Sequence, residues 1–278
     1  MINLIDITDN DVRNKIIFYL DKVEPNSELW RILKSTLELS KHYSFSNTRT
    51  YPRPDHPVEW KRKPIIYMLV AILISLRTTL ENEQKAVFNL ITKFPDSTSL
   101  YKATAQEIED CIRPAGMANK KSLTIRKALD YVLNNFNGDI ETLSKLELEE
   151  ARNAILKIPG VGPKSADCLL SIGLGKPSIA VDVNVFRSTS WIFDLPWSEN
   201  PNYNDNNQIK VVKDLLDNLI PKDVFLTQII HTLFLLHGKN IGNKHPQGKP
   251  CILNEFCLTC KKNMLQYREL ALFSGYEL

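Results

Sequence analysis

Apolar residues recur along most of this chain at the three- and four-residue spacing that is typical of helices with one buried face. Residues 9–43 follow this spacing, which predicts a helical stretch. The segment IIYMLVAILISL, residues 65–76, is apolar on all sides, which predicts a helix buried within a core. No part of the sequence alternates apolar and polar residues for long enough to predict a sheet. The pattern therefore predicts an all-α protein.

Capping residues mark where several predicted helices begin. Thr104 is followed three residues later by Glu107, as in a capping box. Pro163 suits the first position of a helix, and Asp182 is a good N-cap for the helix that follows it. With these boundaries, the sequence predicts helices at 81–94, 104–112, 119–136, 146–158, 163–175, 183–193, 209–220 and 224–238, and loops at 44–57 and 196–208.

The composition fits a globular protein with a substantial core. Hydrophobic residues make up 43% of the 278 residues, and the net charge is +3. This mild positive charge permits nucleic-acid binding but does not by itself indicate it, since a local basic patch matters more than the sum. The longest apolar run is shorter than the roughly 20 residues that span a bilayer, and the N-terminus has no secretory pattern. We therefore expect no membrane association and an intracellular, cytoplasmic location.

The segment LKIPGVGPKSA, residues 156–166, predicts a tight turn between two helices. Gly160 and Gly162 lack a Cβ, which lets another backbone approach closely and leaves positive φ angles free. The N–H groups of such a turn, at the start of the helix that Pro163 opens, form a site for an anion such as a DNA phosphate. A turn that serves only to connect the two helices is the alternative interpretation.

Lys164 is the second residue of the predicted helix, where the helix dipole disfavours a cation. A phosphate that binds the ammonium would offset this cost. Alternatively, the position favours the neutral amine, which is the nucleophilic form of lysine. The residues alone leave both interpretations open. Asp182 is likewise either a simple N-cap or a carboxylate with a chemical role.

The stretch LKIPGVGPKSADCLLSIGLGKPSIAVDVNVFR resembles the helix-hairpin-helix and the following aspartate of the endonuclease III superfamily of DNA glycosylases. Looser similarity extends over residues 64–260 and includes the segments ILISLRTT, IRPAGMANKK and LFLLHGK. The resemblance implies two helical lobes with a DNA-binding cleft between them. It assigns residues 64–176 to the lobe with the helix-hairpin-helix and 177–278 to a C-terminal lobe, on which an N-terminal helical extension, residues 1–63, packs.

The same resemblance places Lys164 at the catalytic lysine of the superfamily and Asp182 at its catalytic aspartate. A neutral lysine amine attacks the sugar C1′ and forms a Schiff base, after which elimination cuts the strand on the 3′ side of the lesion. Asp182 would stabilise the positive charge that develops on the sugar as the base leaves, and would help to move protons.

Further DNA-binding residues follow from the resemblance. A base inside a duplex must be flipped out before an enzyme reaches it, and side chains then fill the gap. Met117 is apolar and flexible enough to insert into the stack, and Arg77 would hydrogen-bond the unpaired base or a phosphate. A core methionine and a solvated arginine are the alternatives. The predicted DNA-binding set is Gly160, Val161, Gly162, Ser165, Arg77 and Met117.

Cys251, Cys257 and Cys260 cluster near the C-terminus, which in a chain with no export signal suggests a metal site rather than disulfides. The superfamily often binds a 4Fe–4S cluster through four cysteines. In this chain the first interval is one residue shorter than in the family pattern, and Gln266 stands at the fourth position. His245 is a candidate fourth ligand, for iron–sulfur or for zinc. A 4Fe–4S cluster, a zinc ion and a metal-free group of thiols therefore all remain open.

Together these residues predict a base-excision-repair DNA glycosylase with AP lyase activity. We expect it to act as a monomer on double-stranded DNA that contains an abasic site or a damaged base, first of all an oxidised pyrimidine. Asn184 stands where many relatives carry a histidine, so the substrate stays open. The alternatives are a purine-specific glycosylase of the same fold and a helix-hairpin-helix protein that binds DNA without catalysis. A redox-sensing or metal-storage role centred on residues 245–260 is a further alternative.

Overall fold

The computed structural model describes residues 8–44, 60, 64–242 and 251–265, and every regular element in these ranges is helical. The α-helices are α1 (Asp9–Leu20), α2 (Glu28–His42), α3 (Pro64–Ser75), α4 (Leu80–Lys93), α5 (Ser97–Lys102), α6 (Ala105–Ile112), α7 (Ala118–Phe136), α8 (Leu148–Leu156), α9 (Pro163–Cys168), α10 (Val183–Ile192), α11 (Asn206–Leu219), α12 (Val224–Ile241) and α13 (258–265). Short 3₁₀ turns form at Arg113–Ala115 and Ile140–Lys145, and a π-helical turn, Leu169–Gly173, follows α9. The predicted all-α fold class is confirmed. None of the helices described here has the length and apolar character needed to cross a membrane.

The chain forms two compact units, each with its own hydrophobic core. Unit 1 runs from Arg49 to Pro177, and unit 2 combines Ile2–Thr48 with Ser178–Leu278. The predicted buried helix at 65–76 is α3, and from Ile65 to Ile74 only Ile72 is less than fully buried. Its all-round apolar surface is therefore matched by core contacts on all sides within unit 1.

The caps that the sequence marks are present in the structure. Thr104 and Glu107 form a reciprocal capping box at the start of α6. Pro163 is the first residue of α9, where its missing N–H leaves no helical hydrogen bond unmade. The side chain of Asp182 accepts hydrogen bonds from two backbone N–H groups at the start of α10. The local sequence thus determines where these three helices begin.

The predicted helical stretch at 9–43 is wrong at residues 21–27, where the chain leaves one helix and starts another. Asn26 adopts a left-handed backbone conformation with φ of 67°, and the side chain of Ser27 caps α2 by accepting from the N–H of Trp30. The apolar spacing continues across this break because both helices bury a face in the same core. Helix α5, which Asp96 caps, was not among the predicted helices.

Trp60 packs in unit 1, although the sequence analysis assigned residues 1–63 to an extension on the other lobe. Its side chain is 1% exposed, and its indole N–H donates to the carbonyl of Phe94 at 2.9 Å. A large aromatic side chain with its polar atom satisfied is a strong core anchor, so residue 60 belongs with unit 1. The predicted loop 44–57 lies outside the described residues beyond Ser44.

Asp223 connects the N-terminal helices of unit 2 to its C-terminal part. One carboxylate oxygen accepts from the N–H of Leu226 at 2.8 Å and caps α12. The other accepts from the hydroxyl of Tyr19 at 3.0 Å and pairs with the ammonium of Lys15 at 2.5 Å, both on α1. One side chain therefore serves as a helix cap and as a link between segments that are distant in sequence.

Gly238 allows α12 to approach the start of α10. A Cβ at this position would lie 2.2 Å from the carbonyl oxygen of Asn184. The clash would be with backbone rather than with the end of a flexible side chain, so the two helices would have to separate. Gly238 thereby fixes the position of the helix that Asp182 caps.

We predict that Gly238→Ala lowers the free energy of unfolding by about 1–3 kcal/mol, the usual cost of adding volume to a packed core. Lys239→Ala is the matched control, since this neighbour on α12 is exposed and its truncation should change stability by less than about 0.5 kcal/mol. Urea unfolding of both variants measures the difference. Equal stability of the two variants would contradict the close approach of α12 to Asn184.

Candidate functional site

The hairpin between α8 and α9 is built around Gly160. This residue has a φ of +83°, and a Cβ on it would lie 2.2 Å from the Cγ2 atom of Thr124 on α7. Glycine is therefore required here both by the backbone angle and by the close approach of α7. Gly162 differs, since its φ is −97° and a Cβ on it would meet nothing within 4 Å. Of the two glycines in the motif, Gly160 is the one that the packing of unit 1 requires.

The other predicted hairpin residues face inward. Val161 and Ser165 are 8% and 5% exposed, and Val161 belongs to the core of unit 1. Their side chains are thus occupied by packing, and a DNA contact at these positions would be made by the backbone. Gly162 is half-buried, and the space where its Cβ would lie is empty to 4 Å, so a ligand could approach its backbone closely.

Lys164 is the second residue of α9 and is half-buried. Asp167 lies three residues further along, where it would be a natural partner for the lysine on a helix surface. The carboxylate instead accepts a hydrogen bond from Arg152 on α8, and Asp167 is 2% exposed. Within the described ranges, the Lys164 ammonium has no hydrogen bond or ion pair. The amine is thus available to a ligand.

Arg152 and Asp167 were missed by the sequence analysis. An acidic residue inside the otherwise apolar run that follows Lys164 is the signal that could have indicated a buried ion pair. The pair connects α8 to α9 across the hairpin, and therefore holds the two helices in register on either side of the glycines.

Asp182 is held by its own helix. The Oδ1 atom accepts from the N–H groups of Asn184 and Val185 at 2.9 and 2.8 Å, and the side-chain amide of Asn184 lies 3.4 Å from Oδ2. Asn184 thus contacts both oxygens of the carboxylate. Asn184 therefore lies directly on the predicted catalytic aspartate.

The segment that leads into Asp182 is also fixed. Residues 178–181 are all buried. The carbonyl of Ala180 accepts from the Nδ1–H of His231 at 2.8 Å, and the carbonyl of Val181 accepts from the hydroxyl of Tyr203 at 3.0 Å. Because hydrogen bonds hold the carbonyls of the two residues before it, Asp182 is preorganised within unit 2. Lys164 belongs to unit 1, so the pairing of these two residues stays a prediction.

Arg77 and Met117 are both exposed, and both have left-handed backbone angles, with φ of 54° and 52°. Met117 is 50% exposed, which rules out the interpretation of this residue as a core methionine. A single exposed apolar residue is not unusual. An exposed methionine at the tip of a turn, with an uncommon backbone angle, is compatible with the predicted insertion of this side chain into a base stack.

The three clustered cysteines are buried and hydrogen-bonded in unit 2. The Cys257 thiol donates to the carbonyl of Trp191 at 3.2 Å, and the Cys251 sulfur lies 3.9 Å from the Nε2 atom of His237. The pKa of Cys260 is raised by its hydrogen bonds with Cys251 and Cys257 and by burial. The Cys260 thiol is consequently stabilised in its protonated form.

These residues do not fit a four-thiolate iron–sulfur cluster. The remaining cysteines of the chain, Cys111 and Cys168, are buried in unit 1. In the part of the chain that is described, no group of three or more His, Cys, Asp or Glu residues is arranged to hold a metal ion. The suggested fourth ligand His245, like Gln266, lies outside the described residues.

We predict that Gly160→Ala lowers the free energy of unfolding by about 2–4 kcal/mol, because it combines the strain of a left-handed φ with the clash against Thr124. Gly162→Ala, two residues away in the same turn, should stay within about 0.5 kcal/mol of the wild type. Thermal or urea unfolding compares the two. A large loss for Gly162→Ala with none for Gly160→Ala would contradict this packing.

Known proteins resemble this chain in sequence and in fold. A model of the HhH-GPD superfamily of base excision DNA repair proteins matches residues 70–209. Endonuclease III of Escherichia coli K12 is 27% identical over 192 residues, which cover 68% of this chain and 82% of that protein. Endonuclease III of Thermotoga maritima is 27% identical over 191 residues, covering 68% and 81%.

Solved structures give the same result. A trapped covalent intermediate of endonuclease III with DNA superposes with a TM-score of 0.63 at 25% identity, covering 86% of this chain and 99% of that chain. A thermostable thymine-DNA glycosylase has the same fold, with a TM-score of 0.61 at 21% identity and coverage of 91% and 98%.

Proposed function

Because the chain belongs to the HhH-GPD superfamily of base excision DNA repair proteins, we propose that it is a DNA glycosylase that also has AP lyase activity. The proposed substrate is duplex DNA with an oxidised pyrimidine, a choice that rests on the resemblance of the hairpin segment to endonuclease III. The relatives with that name, at 27% identity, extend this resemblance beyond the hairpin. The protein would act on DNA as a monomer.

The observation that carries the lyase proposal is the state of Lys164. The Lys164 ammonium has no hydrogen bond or ion pair to any of the described residues. The nearest acidic residue on its helix, Asp167, forms an ion pair with Arg152 instead. A lysine needed only for stability would be expected to pair with that carboxylate. An unpaired amine at the start of α9 suits a nucleophile that must become neutral.

In the proposed reaction, the neutral amine of Lys164 attacks C1′ of the damaged nucleotide. The bond from C1′ to the base breaks, and the base leaves with the bonding electrons and takes up a proton. Opening of the sugar ring then gives a Schiff base between Lys164 and C1′. Loss of a proton from C2′ and elimination of the 3′ phosphate oxygen cut the strand.

Asp182 would contribute charge to this reaction. As the base leaves, positive charge develops on the sugar, and a carboxylate already fixed by two N–H groups needs little reorganisation to stabilise it. The Oδ2 atom, which is not engaged by the backbone N–H groups, is the oxygen left to face a substrate.

We predict that borohydride traps the wild-type protein on a duplex with one abasic site, and that Lys164→Gln abolishes trapping. Reduction of the Schiff base gives a stable covalent complex, and the Lys164 amine is the only group that this scheme allows to form it. Asp182→Asn should slow the reaction by about 100-fold or more, as for the loss of one preorganised electrostatic group. Denaturing gel electrophoresis measures the complex.

Lys157→Gln is the matched control, because it removes the same charge from an exposed position of the same hairpin. If Lys164 only binds phosphate, both lysine variants should weaken DNA binding to a similar degree and the wild type should not trap. Trapping that persists in Lys164→Gln would assign the nucleophile to another residue.

We further predict that single-turnover excision is fastest for an oxidised pyrimidine, by at least about tenfold over an oxidised or an alkylated purine in the same duplex. Discrimination of this size needs only about 1.4 kcal/mol of differential transition-state binding. Alkali-treated strand cleavage measures base removal for each lesion. Faster removal of a purine would establish the purine-specific alternative and leave the lysine chemistry untouched.

A further inference from the structure

Lys121 on α7 is a buried lysine that bonds two separate segments of unit 1. Its side chain is 6% exposed, and its ammonium donates to the carbonyls of Ile74 and Ala115, each at 2.8 Å. Ile74 lies in the last turn of α3, and Ala115 ends the 3₁₀ turn that precedes α7. The lysine therefore connects the C-terminal end of one helix to the turn before another.

Both segments lead directly into the exposed positions Arg77 and Met117. Arg77 follows Ile74 by three residues, and Met117 follows Ala115 by two. Among the described residues, the non-glycines with left-handed φ angles are Asn26, Arg77, Met117, Asn137 and Asp194. Asparagine and aspartate tolerate this conformation, whereas arginine and methionine rarely adopt it. The two least favourable angles thus lie just beyond the two carbonyls that Lys121 binds.

Burial of this lysine has a cost that apolar packing would avoid. Lys121 is in helical register with Ile125 and Ala128, both of which are buried, so an apolar side chain would fit the pattern at this position. Burial lowers the pKa of Lys121, and the charge of Glu83 on α4 acts in the opposite direction. A buried charged group is retained against a desolvation penalty. Replacing a whole buried ion pair by apolar residues is often neutral or stabilising, whereas removing Lys121 alone would take the donor from the carbonyls of Ile74 and Ala115 and a cation from near the buried Glu83.

The same face of α7 also supports the hairpin. Thr124, one turn after Lys121, is the residue that packs against Gly160. One helix face thus contacts the end of α3, the turn before α7 and the turn between α8 and α9. Each of these three segments carries residues that the proposed function places on DNA.

We propose that Lys121 is a positioning residue, which holds the segments of Arg77 and Met117 in the geometry needed to enter a duplex and replace a flipped base. The inference rests on the proposed function, because that function gives these two exposed side chains their role. Lys121 itself does not touch the substrate. Its two hydrogen bonds fix the positions of the segments that lead into Arg77 and Met117. Residues with strained backbone angles keep their conformation only when the surrounding structure holds them there.

The test compares Lys121→Met, which keeps the stem but loses the donors, with Lys120→Met, which removes the same charge from the exposed neighbouring residue. Two rates are measured for each: removal of a damaged base from a duplex, and cleavage at a preformed abasic site. The first requires a stacked base to be displaced, and the second does not. We expect Lys121→Met to lower the rate of base removal relative to the rate of abasic-site cleavage by about 10- to 100-fold, the range that small misplacements of reacting groups produce. Lys120→Met should leave the ratio unchanged, and Lys121→Arg, which keeps donors, should restore most of it.

A second measurement does not depend on catalysis. Amide hydrogen exchange should become faster in Lys121→Met within residues 75–79 and 116–119, and stay unchanged in the rest of unit 1. If Lys121→Met is poorly folded, Lys121→Leu, which also lacks donors, takes its place in both measurements. An unchanged rate ratio, an equal loss at both substrates, or faster exchange throughout unit 1 would overturn the positioning role.

The two proposals fail in different ways. A wild-type protein that neither traps nor excises would refute the proposed function. In that case, local exchange in Lys121→Met would still show whether the lysine fixes these two segments. A wild-type protein that excises normally, with a Lys121→Met variant that has the same rate ratio, would refute the positioning role alone.

Discussion

The missing Cβ at Gly160 is the constraint on which the geometry of unit 1 around the hairpin depends. The methyl group of Thr124 occupies the space that any other residue would need, so α7 and the hairpin approach more closely than side chains normally permit. Because close-packed protein interiors have low compressibility, a displacement of one helix is transmitted to the segments packed against it. Through Lys121, the same helix also holds the carbonyls of Ile74 and Ala115. A shift of α7 would therefore move three turns together.

Unit 2 fixes the carboxylate of Asp182 by a different means. Residues 178–181 form no helix or strand, so their backbone polar groups need partners from elsewhere. His231 and Tyr203 supply donors to two of their carbonyls, and Asp182 then satisfies the first N–H groups of α10. The polar side chains here satisfy buried backbone groups and orient the carboxylate of Asp182 at the same time. Unit 1 achieves comparable order through close packing and one buried ammonium.

Much of the fold could be predicted from the sequence because its signals are local. The apolar spacing, the capping box at Thr104 and the proline at position 163 act over one or two turns, and the structure has helices where they indicate. The break at residues 21–27 was missed because apolar spacing continues across it, although Ser27 is a recognisable cap. The sequence thus predicts where helices form more reliably than where a long helical stretch is broken.

The candidate site could be predicted only in part. Lys164 and Asp182 stand out through motif and spacing, but the bond from Arg152 that occupies Asp167 depends on how α8 and α9 pack. Lys121 was missed because a lysine on a helix is usually solvated, and only its register with buried neighbours distinguishes it. The cysteines illustrate the reverse case: their spacing suggests a metal, whereas the bond from Cys257 to the Trp191 carbonyl and the proximity of His237 are visible only in three dimensions.

Unit 2 is built from segments that lie on both sides of unit 1 in the sequence, which has a consequence for synthesis on the ribosome. Tyr19 and Asp223 are 204 residues apart, and Arg31 donates to the carbonyl of Phe256 across 225 residues. The helices α1 and α2 emerge well before these partners, so this core is completed only after Phe256 has been made. All the segments of unit 1 described here lie in one continuous stretch and become available earlier. In the nascent chain the apolar faces of α1 and α2 therefore stay without these partners while all of unit 1 is synthesised.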